Sequence, residues 1–384
     1  MEENDLAERL RLRTPVQDSP DLCLGAEMGS GESFFDYVGS LLGSLIPRFG
    51  LDRSQETIAR AYHLICRESL AIPKGRRPPN FSRINQDGTP FQFSLTLGAF
   101  RPPLQFLSEA GIPGSSNEDR LLLSKERIGS LCTLFGAKEP RSDDFNLLDE
   151  MVPAGDPDLR ADPAGAVWIG TRFAPEDEPK LKIYLNVKWG PAPKRWARLN
   201  TFASYFGAAA RWQELEKLVK AEMEPLGAAL IYDSGHPPSG RIYLSAYGRP
   251  LAYYRYLARL TTNMAFQSLF ERYTETLLRA DCRYPTHSIV CSFGFDPQGN
   301  LDFKFEMCAH CAFASDVEAR GRCLDWLKLQ EVEPTGYLQM LEILSDGVLS
   351  ETEPLLHCYV GLGLKRDQPY STFYFKPIAG QSFS

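Results

Sequence analysis

The chain has 384 residues, of which 43% are hydrophobic and 24% charged, proportions that are ordinary for a globular protein of one large domain or two. The formal net charge of −7 argues against nucleic acid as a default partner, and no apolar run approaches the roughly 18 residues of a membrane span. The N-terminus is acidic and polar, unlike a signal peptide. Nine cysteines without framework spacing indicate reduced thiols, so we expect a cytoplasmic protein.

The first half of the chain alternates between helical and strand periodicities. Residues 1–30 are polar and aperiodic, and we expect a flexible leader there. Apolar residues recur at helical spacing over residues 32–49, 53–70, 117–134, 144–150 and 191–223. Asp87-Gly88 is a hairpin turn signal. Alternating polar and apolar residues predict strands over residues 91–97, 104–109, 166–173, 180–189 and 227–234.

The second half repeats this alternation. A long aromatic-rich helical stretch is predicted over residues 249–280, and two helices separated near Pro334 are predicted between residues 315 and 344. Strands are predicted over residues 240–248, 287–296, 301–307, 355–364 and 371–377. The strands therefore form five hairpins separated by helices, and we expect residues 379–384 to be a tail.

Several predicted strands carry cations and phenols on the face opposite their apolar side chains. In the segment KLKIYLNVKW, Lys182 and Tyr184 lie on one face, about 7 Å apart by the rise of a strand. Similar faces return with Arg241 and Tyr243, Lys304 and Glu306, and Tyr374 and Lys376. One such face alone is typical of a solvated sheet, but Lys182, Arg241, Lys304 and Tyr374 are separated by 59, 63 and 70 residues. This period is typical of repeated supersecondary units.

Five hairpins give ten antiparallel strands, and a sheet of this size removes its edges by closing into a barrel. The fold class is then α+β, with repeated αββα units forming one domain over residues 31–378. A ten-stranded barrel is wider than side chains alone would fill. We therefore expect the apolar strand faces to pack outward against the helices, and the cationic and phenolic faces to line a polar lumen.

Two other groups of residues suggest metal sites, and both have a simpler interpretation. Asp143-Asp144 and Asp149-Glu150 are similar to an aspartate-rich magnesium site, but Ser142 or Asp143 is also typical of a helix N-cap, which we favour. Cys308-Ala309-His310-Cys311, with Cys323, resembles part of a zinc site. With a single CxxC at a strand end, reduced core cysteines are the favoured interpretation, and His63, His236, His287, His310 and His357 show no paired spacing.

Four segments carry a resemblance to a known family: Asp87-Gly88-Thr89-Pro90-Phe91-Gln92-Phe93-Ser94, Lys182-Ile183-Tyr184, Arg241-Ile242-Tyr243, and His357-Cys358-Tyr359 with Tyr374-Phe375-Lys376-Pro377. In their order and spacing they resemble the ABBA aromatic prenyltransferases, and most of all the dimethylallyltryptophan synthase branch. The resemblance runs from about residue 35 to 378. It implies transfer of a dimethylallyl or longer prenyl group from an allylic diphosphate to an indole or tryptophan-derived acceptor, in alkaloid-type secondary metabolism.

The resemblance also implies how the lumen is used. Strand cations and tyrosines would bind the diphosphate without a metal or other cofactor, so magnesium would not be required. The implied partners are the two small-molecule substrates, with no nucleic acid or membrane, and the protein would be a monomer or homodimer. The implied catalytic residues are Gln92 and Arg172. The implied diphosphate-binding residues are Arg101, Gln105, Lys182, Tyr184, Arg241, Tyr243, Lys304, Glu306, Tyr359, Tyr374 and Lys376.

This sequence departs from the family's pattern on the acceptor side. Gln92 stands where the family has an indole-binding glutamate. If Glu109 is the family's glutamate of the next strand, Gln105 stands where an arginine is expected, and the nearby Arg101 is a substitute. The strand before Lys182 lacks the family's lysine base and offers only Arg172. A phenolic or peptide side-chain acceptor, or a non-catalytic barrel for an anionic lipid-like ligand, therefore stays open.

Overall fold

A computed structural model of the chain places the strands and helices of one barrel and its surrounding shell. The structure describes residues 33–73, 82, 84–85, 88–98, 103–112, 115–136, 142–161, 165–233, 236–261, 264–278, 288–295, 301–365 and 368–378. The expected leader over residues 1–30 and the expected tail over residues 379–384 lie outside this range.

The described residues form ten strands and twelve α-helices, with one 3₁₀ turn at Asp52–Ser54. The strands are β1 (Phe91–Gly98), β2 (Leu104–Glu109), β3 (Val167–Ala174), β4 (Asp177–Asn186), β5 (Met223–Tyr232), β6 (Ser239–Ala246), β7 (Ile289–Phe295), β8 (Leu301–Cys308), β9 (His357–Lys365) and β10 (Gln368–Phe375). The helices are α1 (Phe34–Arg48), α2 (Gln55–Cys66), α3 (Asn117–Leu134), α4 (Ser142–Met151), α5 (Pro157–Ala161), α6 (Ala192–Tyr205), α7 (Ala209–Val219), α8 (Leu251–Thr261), α9 (Met264–Leu277), α10 (Ala309–Ala312), α11 (Asp316–Leu329) and α12 (Thr335–Leu344).

The sheet closes on itself. Each strand pairs antiparallel with its neighbour in the chain, and β1 pairs with β10, so the order around the barrel is β1-β10-β9-β8-β7-β6-β5-β4-β3-β2. The closing register places Ser94 opposite Tyr374 and Thr96 opposite Thr372. The predicted closed ten-stranded antiparallel barrel of repeated αββα units is confirmed.

The hydrophobic core lies between the barrel and its helices, not inside the barrel. On β1, Phe91 and Phe93 are fully buried, and the Phe91 ring meets the Tyr62 ring of α2 at 6.2 Å between centroids. On β4 the other face is less buried: Lys182 and Tyr184 alternate with fully buried neighbours. This matches the expected inversion, in which apolar residues face outward and polar residues line the lumen.

The two ends of the barrel differ. At the hairpin end, the strands of each hairpin join, as where β3 turns into β4 at Pro175 and Glu176. At the helix end, the helical connections leave and return, as where β4 ends at Asn186 before α6. Lys180 and Lys182 therefore lie nearer the hairpin end, whereas Cys308, the last residue of β8, lies at the helix end.

Two predicted elements have different bounds in the structure. The strand predicted over residues 180–189 ends at Asn186, after which the buried Trp189 ring packs 3.1 Å beneath the guanidinium of Arg198. The helical stretch predicted over residues 191–223 breaks at Gly207, whose φ of 68° terminates α6, and Met223 already belongs to β5. Local periodicity did not register either interruption, because one depends on the packing of Trp189 against Arg198 of the next helix and the other on a single glycine.

The turn signal and the aspartate cluster also have specific positions. Gly88 adopts a φ of 84° just before β1, and its N–H donates to the carbonyl of Asn85; Asp87 lies outside the described residues. Asp143 and Asp144 lie in the first turn of α4, and the buried Asp144 accepts a hydrogen bond from Tyr205 of α6. Asp144 therefore ties two helices together outside the barrel. No helix of the described residues is long and apolar enough to cross a membrane.

Candidate active site

The lumen wall between β2 and β4 holds a lysine against an amide. Lys182 Nζ donates to Gln105 Oε1 at 3.2 Å, and Gln105 Nε2 donates to Thr96 Oγ1 at 3.1 Å. Thr96 in turn lies 3.4 Å from Thr372 across the closing pair of strands. Gln105 therefore holds Lys182 in a defined position and connects it to the β1–β10 seam.

Two phenols stand side by side on β4 and β6. The ring centroids of Tyr184 and Tyr243 are 6.0 Å apart. Burial raises the pKa of both hydroxyls, and the nearby Glu306 acts in the same direction. Both side chains therefore stay neutral at physiological pH, so they present hydrogen-bond donors and electron-rich ring faces to the lumen.

Arg241 is a fixed cation on β6. Its Nη1 donates to Ser292 Oγ at 3.0 Å, and its Nη2 lies 3.9 Å from Asp302. Burial would lower the pKa of Arg241, but Tyr370, Tyr243, Asp302 and Glu306 together raise it above the ordinary value. A guanidinium is a permanent positive charge. The Arg241 side chain is 12% exposed, so this charge still reaches the lumen.

On β8, Lys304 is neutralised by a carboxylate. Lys304 Nζ lies 2.6 Å from Glu306 Oε1, and the Tyr374 hydroxyl hydrogen-bonds both groups. Burial would raise the pKa of Glu306, but Lys304 and Tyr374 hold it below the ordinary value, so the carboxylate is ionised. The ammonium also lies 4.8 Å from the Tyr374 ring centroid. Lys304 therefore brings less net charge to the lumen than Arg241 does.

Tyr370 lies among the cations, although it was absent from the predicted site. Its ring centroid is 5.9 Å from Lys304 Nζ, and its hydroxyl influences the pKa of Arg172 and of Arg241. The signal was present in the sequence, since Tyr370 shares the inward period of Thr372 and Tyr374 in QPYSTFYF. The strand predicted over residues 371–377 began one residue too late to include Tyr370.

Glycines make room for the large lumen side chains. Gly363 pairs with Tyr370, and a Cβ there would lie 2.4 Å from the Tyr370 ring. Gly294 pairs with Arg241, and a Cβ there would lie 2.8 Å from its Nη2. These two side chains therefore lie over their glycine partners, so the position of each depends on the neighbouring strand.

Arg172 and Lys180 are paired residues at the hairpin end of β3 and β4. Lys180 forms an ion pair with Asp233. Burial lowers the pKa of Arg172, while Asp177, Asp233 and the lumen residue Tyr370 act against that shift. Arg172 thus lies with the cations of the hairpin end, and a guanidinium remains charged at physiological pH.

Gln92 is oriented by a buried asparagine. Asn85 Nδ2 donates to the backbone carbonyls of Thr89 and Phe91, which fixes the orientation of the Asn85 amide. Asn85 Oδ1 then accepts a hydrogen bond from Gln92 Nε2 at 3.0 Å. The Gln92 carbonyl oxygen must therefore point away from Asn85. Cys358 also donates to Asn85 Oδ1, at 3.2 Å. Gln92 is 5% exposed and offers an oriented acceptor on the lumen face of β1.

Comparison with known proteins identifies the architecture. No family model and no curated protein matches the sequence. The fold matches 5-dimethylallyl tryptophan synthase from Streptomyces coelicolor in complex with DMASPP and Trp, with a TM-score of 0.76 and 19% identity over 91% of this chain and 96% of that chain. The chain has the fold of the dimethylallyltryptophan synthases. It also matches 6-dimethylallyltryptophan synthase from Micromonospora olivasterospora in complex with DMASPP and Trp, with a TM-score of 0.77 and 17% identity over 91% and 98% of the two chains.

A further structure matches this barrel over a similar length. AnaPT from Neosartorya fischeri has a TM-score of 0.68 and 15% identity, covering 93% of this chain and 97% of its own. At these identities the comparisons establish the fold, and the chemistry must be argued from the residues of this chain.

At the helix end of the barrel, a buried carboxyl lies on the inward face of β2. Glu109 Oε1 accepts from Arg120 Nη1 of α3 at 3.0 Å, and both side chains are buried. Burial raises the pKa of Glu109 to about 7, although Arg120, Ser82 and Trp168 act against the shift. The sequence indicated Glu109 only as a landmark for Gln105, because the burial that perturbs it comes from residues distant in the chain.

The remaining predicted residues are dispersed. Tyr359 pairs with Tyr374, with ring centroids 6.1 Å apart, and burial raises its pKa. Lys376 follows the end of β10 at the helix end, so the fold separates it from Arg172 and Lys180. Arg101 lies outside the described residues.

Proposed function

We propose that this protein is an aromatic prenyltransferase, which moves an allylic prenyl group from its diphosphate to a ring carbon of an aromatic acceptor. The observation that carries the proposal is the convergence of Lys182 and Arg241 with the neutral phenols Tyr184 and Tyr243, and with the Tyr370 ring, on the lumen face of one barrel. Fixed cations suit a diphosphate, and phenol rings suit a carbocation.

The reaction begins with cleavage of the bond between the allylic carbon and the diphosphate oxygen. The bonding electron pair leaves with the diphosphate, whose negative charge grows as the bond breaks. Arg241 and Lys182 stabilise that charge because they are held in place before the reaction, so no reorganisation is required. The phenol hydroxyls of Tyr184 and Tyr243 donate to the phosphate oxygens.

The allyl cation must then reach the acceptor before water does. The π faces of Tyr184, Tyr243 and Tyr374 stabilise it and exclude water from one side. A ring carbon of the acceptor attacks the cation and forms the new carbon–carbon bond. Transfer of the proton from that carbon to the released diphosphate or to solvent restores the aromatic ring.

Gln92 orients the acceptor in this proposal. The NH₂ group of Gln92 donates its hydrogen bond to Asn85. The side-chain carbonyl oxygen of Gln92 is therefore the atom that accepts a hydrogen bond from an indole N–H or a phenol O–H. A tryptophan or another indole is the acceptor we infer first, since the solved structures with this fold include complexes with Trp. The neutral amide equally accommodates a phenol, which makes a phenolic acceptor the second candidate.

The test is an incubation of the purified protein with dimethylallyl diphosphate and a panel of tryptophan, other indoles and phenols. A mass gain of one prenyl unit on one acceptor class, together with diphosphate release, supports the proposal and selects between the two acceptors. Tight binding of dimethylallyl diphosphate without product from any acceptor would favour a binding barrel. The absence of both donor binding and prenylated product would refute the assignment of a diphosphate site.

A further inference from the structure

A group of soft metal ligands lies at the helix end of the barrel, apart from the diphosphate cations. Cys308 ends β8, and His310 and Cys311 lie in the short helix α10 that follows it. One ligand atom from each of the three lies within 4.8 Å of the others. Among the residues that the structure describes, this is the one group in which three or more His, Cys, Asp or Glu side chains lie close enough to hold a metal ion together.

The geometry brings the imidazole against the first thiol. Cys308 Sγ lies 3.2 Å from Nδ1 and 3.4 Å from Nε2 of His310. A single helical turn between Cys308 and Cys311 then returns the second thiol to the same point. The thiolate is the form of cysteine that coordinates a metal.

The group is open to solvent on one side and closed on the other. Cys308 is buried, Cys311 is partly exposed and His310 is exposed. An ion can therefore enter from solvent past His310 and be held from beneath by Cys308. The neighbouring Cys358 Sγ donates a hydrogen bond to Asn85 Oδ1 at 3.2 Å, so it is not counted as a ligand. Three ligands would then come from the protein, and water would occupy the fourth coordination position.

We propose that Cys308, His310 and Cys311 bind one Zn²⁺. Two thiolates and one imidazole are the ligand types that zinc prefers, and thiolates disfavour magnesium and calcium. Binding converts both thiols to thiolates, so their two protons are released to solvent as the Zn–S bonds form. The ion would fasten α10 to the end of β8.

Zinc is favoured here over a disulfide between Cys308 and Cys311. A disulfide would use the two sulfurs and leave the convergence of His310 on Cys308 unexplained. Cys308 and Cys311 are not joined by a disulfide in the structure. The site contains none of the diphosphate cations, so zinc binding is independent of the proposed prenyl transfer.

The site is tested on the full chain, reduced and freed of metal with a chelator. Zn²⁺ is titrated in competition with a chromophoric indicator, and Co²⁺ is used separately to detect a thiolate-to-cobalt charge-transfer band. We expect one equivalent bound with the band present. Cys311→Ser and His310→Ala should each weaken binding by at least about tenfold, because even outer partners of zinc ligands contribute 10–100-fold. Circular dichroism confirms that each variant is folded.

The matched control is Cys323→Ser, which removes a buried thiol of α11 that is not part of the group. Its zinc affinity should equal that of the unmodified protein. Absence of zinc and cobalt binding by the reduced protein would overturn the proposal, as would unchanged affinity in both Cys311→Ser and His310→Ala. Loss of two hydrogens by mass under mild oxidation, without metal binding, would assign the pair to a disulfide.

Discussion

At the scale of single residues, the account depends on which cations of the lumen retain net positive charge. Glu306 neutralises Lys304, and Asp233 neutralises Lys180. Arg241, in contrast, donates a hydrogen bond to the hydroxyl of Ser292, and the carboxylate of Asp302 lies 3.9 Å from it. Arg241 should therefore contribute more to diphosphate binding than Lys304, although the two residues looked equivalent in the sequence.

Arg241→Ala should weaken binding of an unreactive thiolodiphosphate donor analogue by about tenfold to a hundredfold. Hydrogen bonds to charged groups contribute roughly 1.5–3 kcal/mol, and 1.36 kcal/mol corresponds to a factor of ten. Isothermal titration calorimetry measures the dissociation constant directly. Arg60→Ala is the control, because Arg60 lies exposed on the outer helix α2 and should leave binding unchanged. Equal affinities of Arg241→Ala and Arg60→Ala would refute the role.

Gln92 is the residue on which acceptor recognition depends. Gln92→Ala should lower the transfer rate, because it removes one orienting hydrogen bond worth on the order of 1 kcal/mol. Gln92→Glu should change the preferred acceptor or ring position and leave donor affinity nearly unchanged. Product distribution and the donor dissociation constant, measured for both variants, check this. Unchanged rates and products in both would leave Gln92 as a wall residue held by Asn85.

Glu109 should leave a signature in the pH dependence of stability. Its pKa rises from an ordinary value of 4.5 to about 7 in the folded state because the carboxyl is buried, so the folded protein binds the proton more tightly. The corresponding stabilisation is complete below pH 4.5 and is lost as pH rises toward 7, a change on the order of 3 kcal/mol. Urea unfolding across this window should show the free energy of unfolding of Glu109→Gln rising relative to that of the unmodified protein. Parallel pH profiles would show that Glu109 titrates normally.

At the scale of elements, each lumen side chain is positioned by the strand opposite it. Gly363 on β9 allows Tyr370 on β10 to lie flat, and a Cβ at Gly363 would be 2.4 Å from the Tyr370 ring. The register between strands, more than the sequence of either one, therefore determines where the phenol meets Lys304.

Gly363→Ala should weaken donor binding by displacing the Tyr370 ring from the cations. Gly321→Ala is a matched control, since Gly321 lies within α11 with open space around it. The control should raise the free energy of unfolding by about 0.5–1 kcal/mol, because alanine is favoured over glycine in a helix. Donor binding is measured by calorimetry and stability by urea unfolding. Donor affinity equal in the two variants would contradict the packing argument.

Elements and their faces could be predicted because period two and period 3.6 are local properties. The strand at Leu104–Glu109 and the helix at Asn117–Leu134 have the predicted bounds. The environment of a side chain depends on tertiary packing: Asn85, which precedes β1, fixes Gln92, and Arg120 of α3 meets Glu109 of β2. Tyr370 could have been included by extending the inward period of β10.

At the scale of the whole molecule, the barrel separates the lumen from a continuous apolar shell. This inversion lets charged groups cluster in one chamber while the hydrophobic core around it supports the fold. In the proposed reaction, cations supplied by several strands would meet the diphosphate, so the protein itself would supply the charge that magnesium provides in other diphosphate-using enzymes.

Prenyl transfer should therefore continue in excess EDTA. The proposed zinc ligands are soft and lie at the other end of the barrel, so the diagnostic step is magnesium add-back, not chelation alone. Turnover is measured with EDTA, then with magnesium restored, and the two rates should agree. Abolition by EDTA with recovery on magnesium would point to an acidic metal site such as Asp143 and Asp144.

The central claim is that this lumen ionises an allylic diphosphate and delivers the cation to an aromatic ring. The most direct measurement is mass spectrometry of the acceptor after incubation with dimethylallyl diphosphate, comparing the unmodified protein with the Lys182→Ala, Arg241→Ala double variant. The account predicts one added prenyl unit with the unmodified protein and, if the two contacts act independently, a loss of at least about a hundredfold in the double variant. Equal product from both proteins, or no prenylated acceptor from the unmodified one, would contradict it.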